Sequence, residues 1–214
     1  MIALAAAGLM GFANQRGGTC TVAAIEEIAA TRRFGRMIAL LEASLWVGGG
    51  LVVLNAVNCL PPMPAGYAAG LATIAGGILF GLGAFVNGAC LFGTVARLGS
   101  GEWAYAATPV GLFLGSLVTA RLRFAEEIHE PSLVLRASAW GAVVALALIA
   151  VRLYTHGADI RRNQRPILTH LWSPHVATTM IGIAFLVAFL MAGNWDYPEF
   201  LRDLAQGDTV RWLP

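Results

Sequence analysis

Lysine is absent from this chain of 214 residues, and all 14 basic side chains are arginine, a compositional bias that carries no mechanism. Charge of either sign is scarce. Asp, Glu, Lys and Arg together make up 12% of the residues, where a soluble domain carries about a quarter. An ordinary soluble domain is thereby excluded, and a formal net charge of +2 gives no basis for nucleic acid as a partner. Cysteine occurs three times, at Cys20, Cys59 and Cys90, with no paired spacing that would suggest a disulfide framework. There is no Cys-x-x-Cys and no His-Glu-x-x-His, so no metal or cofactor is expected. The first ten residues, Met1 to Met10, contain no basic residue, and the first charge is Arg16. A cleaved signal peptide needs a basic leading region, so this stretch reads as a short helix entering the membrane.

What the chain has in abundance is apolar length. It is 57% hydrophobic, its mean hydropathy is +0.69, and several runs approach the roughly 20 residues that span a bilayer as a helix. Its 25 glycines suit close helix packing in lipid. The expected fold is all-α, a polytopic membrane helix bundle with an internal repeat containing two broken, re-entrant short-helix elements. The lipid bilayer is its first partner.

The spans follow from the apolar runs and their breakers. Residues 1–15 form a short helix, and a second runs from about Thr19 to Thr31. Residues 37–58 and 65–86 are full spans, separated by a turn at Pro61, Pro62 and Pro64, because proline cannot continue a helix. A short helix covers 88–98, followed by spans at 102–120, 132–154 and 176–193, with a charged loop at 121–131. Repeat units at about 1–60 and 61–130 then share a single transmembrane domain, 1–193, with the two later spans. The segment 194–214 is an amphipathic interfacial tail whose apolar side is Trp195, Tyr197, Phe200, Leu201 and Leu204. Arg32, Arg33 and Arg36, Arg97, and the set Arg152, Arg161, Arg162 and Arg165 fall on one side, which the positive-inside bias makes cytoplasmic. The proline turn and the loop of Arg121, Arg123, Glu126, Glu127 and Glu130 fall on the other.

The repeat is read from two glycine-rich breaks. The first is Gly11-Phe-Ala-Asn-Gln-Arg-Gly-Gly-Thr-Cys20-Thr21, and the second runs from Gly81 through Asn87, Gly88 and Cys90 to Thr94. A shift of seventy positions places Gly11 on Gly81, Gly18 on Gly88 and Cys20 on Cys90. Irregular backbone at membrane depth survives only where protein or a water-filled cavity covers it, so a broken span points to a transport site. A helix that starts near Gly88 has unpaired N–H groups and a positive dipole end, which together attract an anion. Cys90 lies in that first turn, and Asn87 brings amide donors. In the first break, Arg16 brings a charge that neutralises an anion or snorkels to the interface. Thr19 and Thr21 bring hydroxyls, which either serve the anion or bond back to their own helix. For both cysteines, the alternative is a small apolar residue in a packing seam.

Other polar residues read as structural. Glu42 lies near a span end and reaches water. Glu26 and Glu27 occupy a solvated face. Cys59 sits beside the proline turn, either as an entry-side thiol or as a bland buried residue. His129, His156, His170 and His175 lie in loops or at span ends and suggest no ligand set. The pair Gly81-Leu82-Gly83 is not a dinucleotide fingerprint, because no strand precedes it and the glycine spacing is wrong.

The run Asn87-Gly-Ala-Cys90-Leu-Phe-Gly-Thr-Val-Ala-Arg-Leu-Gly-Ser-Gly-Glu-Trp-Ala-Tyr105 resembles the signature of the YeeE/YedE family of sulfur-compound transporters. Arg16-Gly-Gly-Thr-Cys20 is similar to that family's first glycine-cysteine element. The resemblance is long and specific over 87–105 and weaker over the rest of 1–155. It implies an inner-membrane protein that moves thiosulfate or a related sulfur anion along a narrow path of buried cysteines, with Cys90 in that role and Cys20 in the matching place. The substrate-path residues are then Cys90, Cys20, Asn87, Gly88, Arg16, Gly18 and Thr19. Longer members carry further glycine-cysteine elements, whereas no cysteine follows Cys90 here. The segment after Trp195 looks like a connector into such a second half. A truncated chain, a second copy or a sister subunit are the alternatives that this leaves. Two other functions stand beside transport. One is a membrane-bound persulfide relay handing sulfur to a cytoplasmic sulfur-carrier protein, with Cys90 as the loaded thiol. The other is a helical subunit that only assembles with a transporter.

Overall fold

The computed structural model describes residues 1–63, 66–67, 70–122, 129–130, 132, 134–163, 172–193 and 197–207. Pro64, Arg123, Glu126, Glu127, Arg165, His170 and Trp195 lie outside the described residues, as does 208–214. The fold is all-α. Strand pairing among the described residues is confined to Gly66–Tyr67 against His129–Glu130, antiparallel, with Gly66 opposite Glu130. That pairing sets Gly66–Tyr67, within the span expected at 65–86, beside His129–Glu130, and the helix of that span starts only at Leu71.

The chain opens with α1 (Ile2–Gly17), which stops because Gly18 turns left-handed at φ 55° and returns its N–H to the Asn14 carbonyl. Next, α2 (Thr21–Thr31) starts at Cys20, whose extended backbone makes it the N-cap. The following α3 (Gly35–Ser44), a π turn at Leu45–Gly49 and α4 (Gly50–Ala56) form one continuous rod. The first turn of α3 is capped by Glu27, whose carboxylate accepts from the Arg36 N–H at 3.0 Å. Glu27 is thus a cap rather than one more residue of a solvated face.

The second break repeats the local build of the first. Helix α5 (Leu71–Asn87) ends at Gly88, again left-handed at φ 65°. Helix α6 (Leu91–Gly99) starts at Cys90, again extended. A 3₁₀ turn at Trp103–Ala106 leads into α7 (Ala107–Leu122). Then come α8 (Ala139–Asn163), α9 (Pro174–Ala192) and α10 (Tyr197–Gln206). Ser173 caps α9 by accepting from the Val176 N–H at 3.3 Å, with Pro174 at the first helical position where its missing N–H is harmless.

Three stretches are long and apolar enough to cross a membrane: Gly35–Ala56, Leu71–Gly99 and Pro174–Ala192. Shorter apolar helices cover Trp103–Thr119 and Ala139–Thr155. The chain is a membrane protein, and its large exposed side chains are the apolar ones that lipid covers, Leu79, Phe85, Val86 and Val143 among them. The core is built from small residues around α9. Helix α1 lies along α9, and a Cβ on Gly17 would collide with Ala177. On the other flank of α9, Trp46 in the π turn fills the space left by Gly182, and Leu186 fills that left by Gly50. Lipid tails are as apolar as leucine, so such close backbone approach is what holds membrane helices together. Adding a methyl at one of these contacts costs about 1–3 kcal/mol.

Two sequence expectations need correction here. The span expected at 132–154 is a helix from Ala139 to Asn163, so Arg161 and Arg162, expected in the loop beyond it, continue the helix that carries Arg152. Glu42, expected to reach water, is buried at 7% exposure and forms an ion pair with Arg152. Its other oxygen lies 2.9 Å from His175 Nδ1. This cluster ties α3, α8 and α9 together. Burial of a lone carboxylate is prohibitive, and it becomes tolerable when the charge is matched and hydrogen-bonded. The tail helix α10 lies against α7 with Asp203 buried and Leu204 exposed.

Candidate functional site

The two breaks meet. Cys90 donates its backbone N–H to Cys20 Sγ at 3.4 Å, across seventy residues of sequence. Cys90 Sγ in turn accepts from the Gly93 N–H at 3.5 Å, one turn further along α6. Two of the N–H groups that a helix start leaves unpaired are therefore occupied by the two sulfurs. Neither cysteine faces the outside of the bundle freely: Cys90 is buried, and Cys20 is partly so. Gly93 makes the approach possible. A Cβ there would stand 2.8 Å from Cys20 Sγ and 3.4 Å from Cys20 Cβ. Both sulfurs thus rest against one residue that has no side chain.

Amide and hydroxyl groups hold this junction. Asn14, on α1 and 5% exposed, donates from Nδ2 to the Phe92 carbonyl at 2.8 Å. The Thr19 hydroxyl donates to Asn14 Oδ1 at 2.5 Å. One buried amide thus joins the first break to the first turn of α6. Asn87 does the same for the second break. Its Nδ2 donates to the Ala89 carbonyl and to Thr94 Oγ1, both at 3.1 Å, and its Oδ1 accepts from Thr108 Oγ1 at 3.2 Å. Both amide hydrogens of Asn87 are engaged within the turn, so the side chain ties α5, α6 and α7 together rather than pointing a free donor at an anion.

The remaining predicted residues fall as follows. Gly18 and Gly88 supply the left-handed turns, and the Gly88 position faces the Tyr105 hydroxyl at 3.9 Å. Arg16 is half-buried, and its guanidinium lies 5.2 Å over the Phe12 ring, one turn back on its own helix. Phe12 in turn meets Trp172 edge-on at 5.5 Å. Cys59 is exposed, two residues before the turn at Pro61 and Pro62. Among the described residues, no cluster of His, Cys, Asp and Glu could hold a metal ion.

A cleft of about 530 Å³ runs between α5 and α7 and reaches the second break at Asn87, Ala89 and Leu91. Its upper walls are apolar, from Leu79, Phe80 and Leu112, with Gly76, Gly83 and Gly111 making room. On the far side of α6, Arg97 donates to the Tyr105 hydroxyl at 2.7 Å and lies 3.5 Å from Glu102.

Sequence reasoning named Gly93 as a point of close approach and missed Asn14, Thr94 and Thr108. Asn14 carried a usable signal, a carboxamide inside an otherwise apolar helix one turn before a glycine break. Thr94 and Thr108 carried none, since threonine in a membrane helix commonly bonds its own backbone.

The family model described as Sulphur transport matches residues 16–205. No curated protein and no solved structure matches the chain.

Proposed function

The chain belongs to the sulphur transport (YeeE/YedE) family, and we propose that it moves thiosulfate, or a closely related sulfur anion, through the constriction where Cys20 and Cys90 meet. One observation carries the reading: the sulfurs of both cysteines accept backbone N–H groups at the start of α6. Sulfur is a weak hydrogen-bond acceptor. An anion whose own terminal sulfur or oxygen is charged is a stronger partner for the same N–H groups. It displaces the thiols on arrival, and the thiols close behind it when it leaves. Conduction needs contacts strong enough for entry and weak enough for exit, and replaceable thiol contacts meet both demands. In this reading the protein sits in a bacterial inner membrane with its arginine-rich loops in the cytoplasm. The cleft between α5 and α7 gives the substrate an approach to the second break.

Uptake of labelled thiosulfate into proteoliposomes tests the proposal. Wild-type protein accumulates label, and excess unlabelled thiosulfate competes more strongly than sulfate. Cys90→Ala abolishes uptake with little loss of stability, within about 1–2 kcal/mol for a small truncation. Cys90→Ser, which keeps a hydrogen-bonding side chain but not sulfur chemistry, retains less than wild-type activity. Full uptake by the alanine variant would remove Cys90 from the path. A protein that passes sulfur to a carrier but accumulates nothing in the vesicles would be a relay and not a transporter.

A further inference from the structure

We propose that Cys20 and Cys90 form a reversible dithiol–disulfide couple, oxidised by compounds with a sulfur–sulfur bond, and that the disulfide locks the two breaks together and closes the path. The closure rests on the transport reading above, whereas the couple itself rests on geometry alone.

Both sulfurs lie against Gly93. Its N–H reaches Cys90 Sγ at 3.5 Å, and the space its missing Cβ would fill is 2.8 Å from Cys20 Sγ. Cys20 Sγ also accepts the backbone N–H of Cys90 itself at 3.4 Å, so the two sulfurs meet at the same turn. A disulfide needs two Cβ–Sγ arms that point at one another from backbones a few ångströms apart. Here each arm leaves a residue just before a helix, in extended backbone at φ −130° for Cys20 and −75° for Cys90. The carbonyl of each cap accepts the first bond of its helix, from the Ala24 and Thr94 N–H groups, while the Cβ–Sγ arm stands outside that ladder. A covalent bond between these sulfurs would leave neither available to swing aside from the α6 N–H groups, so the constriction would stay shut.

Tetrathionate, the oxidised dimer of thiosulfate, is the reagent whose chemistry fits. The Cys20 thiol loses its proton to water, and its sulfur attacks the central sulfur–sulfur bond. One thiosulfate leaves, and a Cys20–S–SO₃⁻ adduct with one further sulfur remains. The deprotonated Cys90 sulfur then attacks Cys20 Sγ, the adduct bond breaks, and the second thiosulfate leaves. Two thiols are oxidised by two electrons, one tetrathionate is reduced to two thiosulfates, and two protons go to solvent. Exchange of this type proceeds by thiolate attack through a mixed intermediate. A dithiol reductant reverses it.

The test uses the full chain in proteoliposomes, with Cys59→Ser as the working background. Tetrathionate is added, free thiols are alkylated, and the protein is digested for mass spectrometry. The expected result is a peptide linked through Cys20 and Cys90, two hydrogens lighter than its reduced parts, and no alkylation at either site. Thiosulfate uptake falls at least tenfold in the same vesicles and returns on treatment with dithiothreitol. Separate alkylation of both cysteines after tetrathionate, with no linked peptide, would overturn the couple. A linked peptide with undiminished uptake would overturn the closure. Vesicles that take up no thiosulfate even before oxidation would instead defeat the transport reading, and the couple would then stand or fall on the linked peptide.

Discussion

Replacing Gly93 with alanine is the sharpest test of the thiol junction, because it adds one methyl and removes nothing. The new Cβ would stand 2.8 Å from Cys20 Sγ, 3.3 Å from Ala89 Cβ and 3.4 Å from Cys20 Cβ. Non-bonded heavy atoms prefer about 3.5–4.0 Å, so Cys20 must retreat by roughly 1 Å. Two terms act on stability. Alanine gains about 0.8–1 kcal/mol over glycine in a helix interior, and overpacking costs about 1–3 kcal/mol. The net loss is about 0–2 kcal/mol, and the protein stays folded. The effect on transport is larger, because the Cys90 N–H to Cys20 Sγ contact is already 3.4 Å long and a retreat of that size breaks it. The expected outcome is at least a tenfold fall in thiosulfate uptake, equivalent to about 1.4 kcal/mol, with a melting temperature within a few degrees of wild type. Gly77→Ala, at a position on α5 outside the cleft lining and with nothing within 4 Å, is the matched control and leaves uptake unchanged. If Gly93→Ala transports like wild type, the approach of Cys20 to α6 has no part in function.

Three further outcomes follow from the packing. Asn14→Asp keeps an acceptor for the Thr19 hydroxyl but sets a carboxylate oxygen against the Phe92 carbonyl, so it weakens uptake more than Thr19→Val, which removes only the hydroxyl donor; a Thr19 variant as impaired as Asn14→Asp would deny the amide its joining role. Glu42→Gln leaves Arg152 without its anion and destabilises the bundle by about 1–3 kcal/mol, less than the roughly 3–5 kcal/mol of a fully buried pair because Arg152 is one-third exposed; the double variant with Arg152→Gln recovers part of the loss, and thermal melts in detergent show whether it does. A cysteine introduced at position 162 in a cysteine-free background stays unlabelled by an impermeant maleimide in intact cells, and labelling there reverses the orientation taken from the arginine loops.

The sequence made the helical membrane class and the two breaks legible because both rest on strong local physics. Glycine is the residue that turns left-handed without strain, and Gly18 and Gly88 do so. The convergence of Cys20 on Cys90 was not legible. Equal spacing along the chain says that two elements are alike, not that they touch. Glu42 was misjudged for a related reason. Its place near the span end suggested water, but the partner that decides its environment is Arg152, over a hundred residues later, in a helix that continues beyond its expected end. Helix α8 runs on to Asn163 rather than stopping at 154, which puts Arg152 well inside the helix and not at its end. Asn87 shows a related limit: its bonds to Ala89, Thr94 and Thr108 are set by neighbours that the chain order does not reveal.

The π turn at Leu45–Gly49 bears on how this protein tolerates changes in length. A π turn holds one residue more than the α-helix it interrupts. The rod from Gly35 to Ala56 therefore contains a spare residue at a known address. Removing Gly48, beside which there is open space, lets the turn relax to regular α geometry while Glu42 on one side and Gly50 on the other keep their facing. A deletion earlier in the rod, between Gly35 and Ser44, has no such slack. It rotates every later residue by about 100°, swings Gly50 away from Leu186, and parts the rod from α9. Natural relatives that lack one residue in this span are accordingly expected to lack it between 45 and 49.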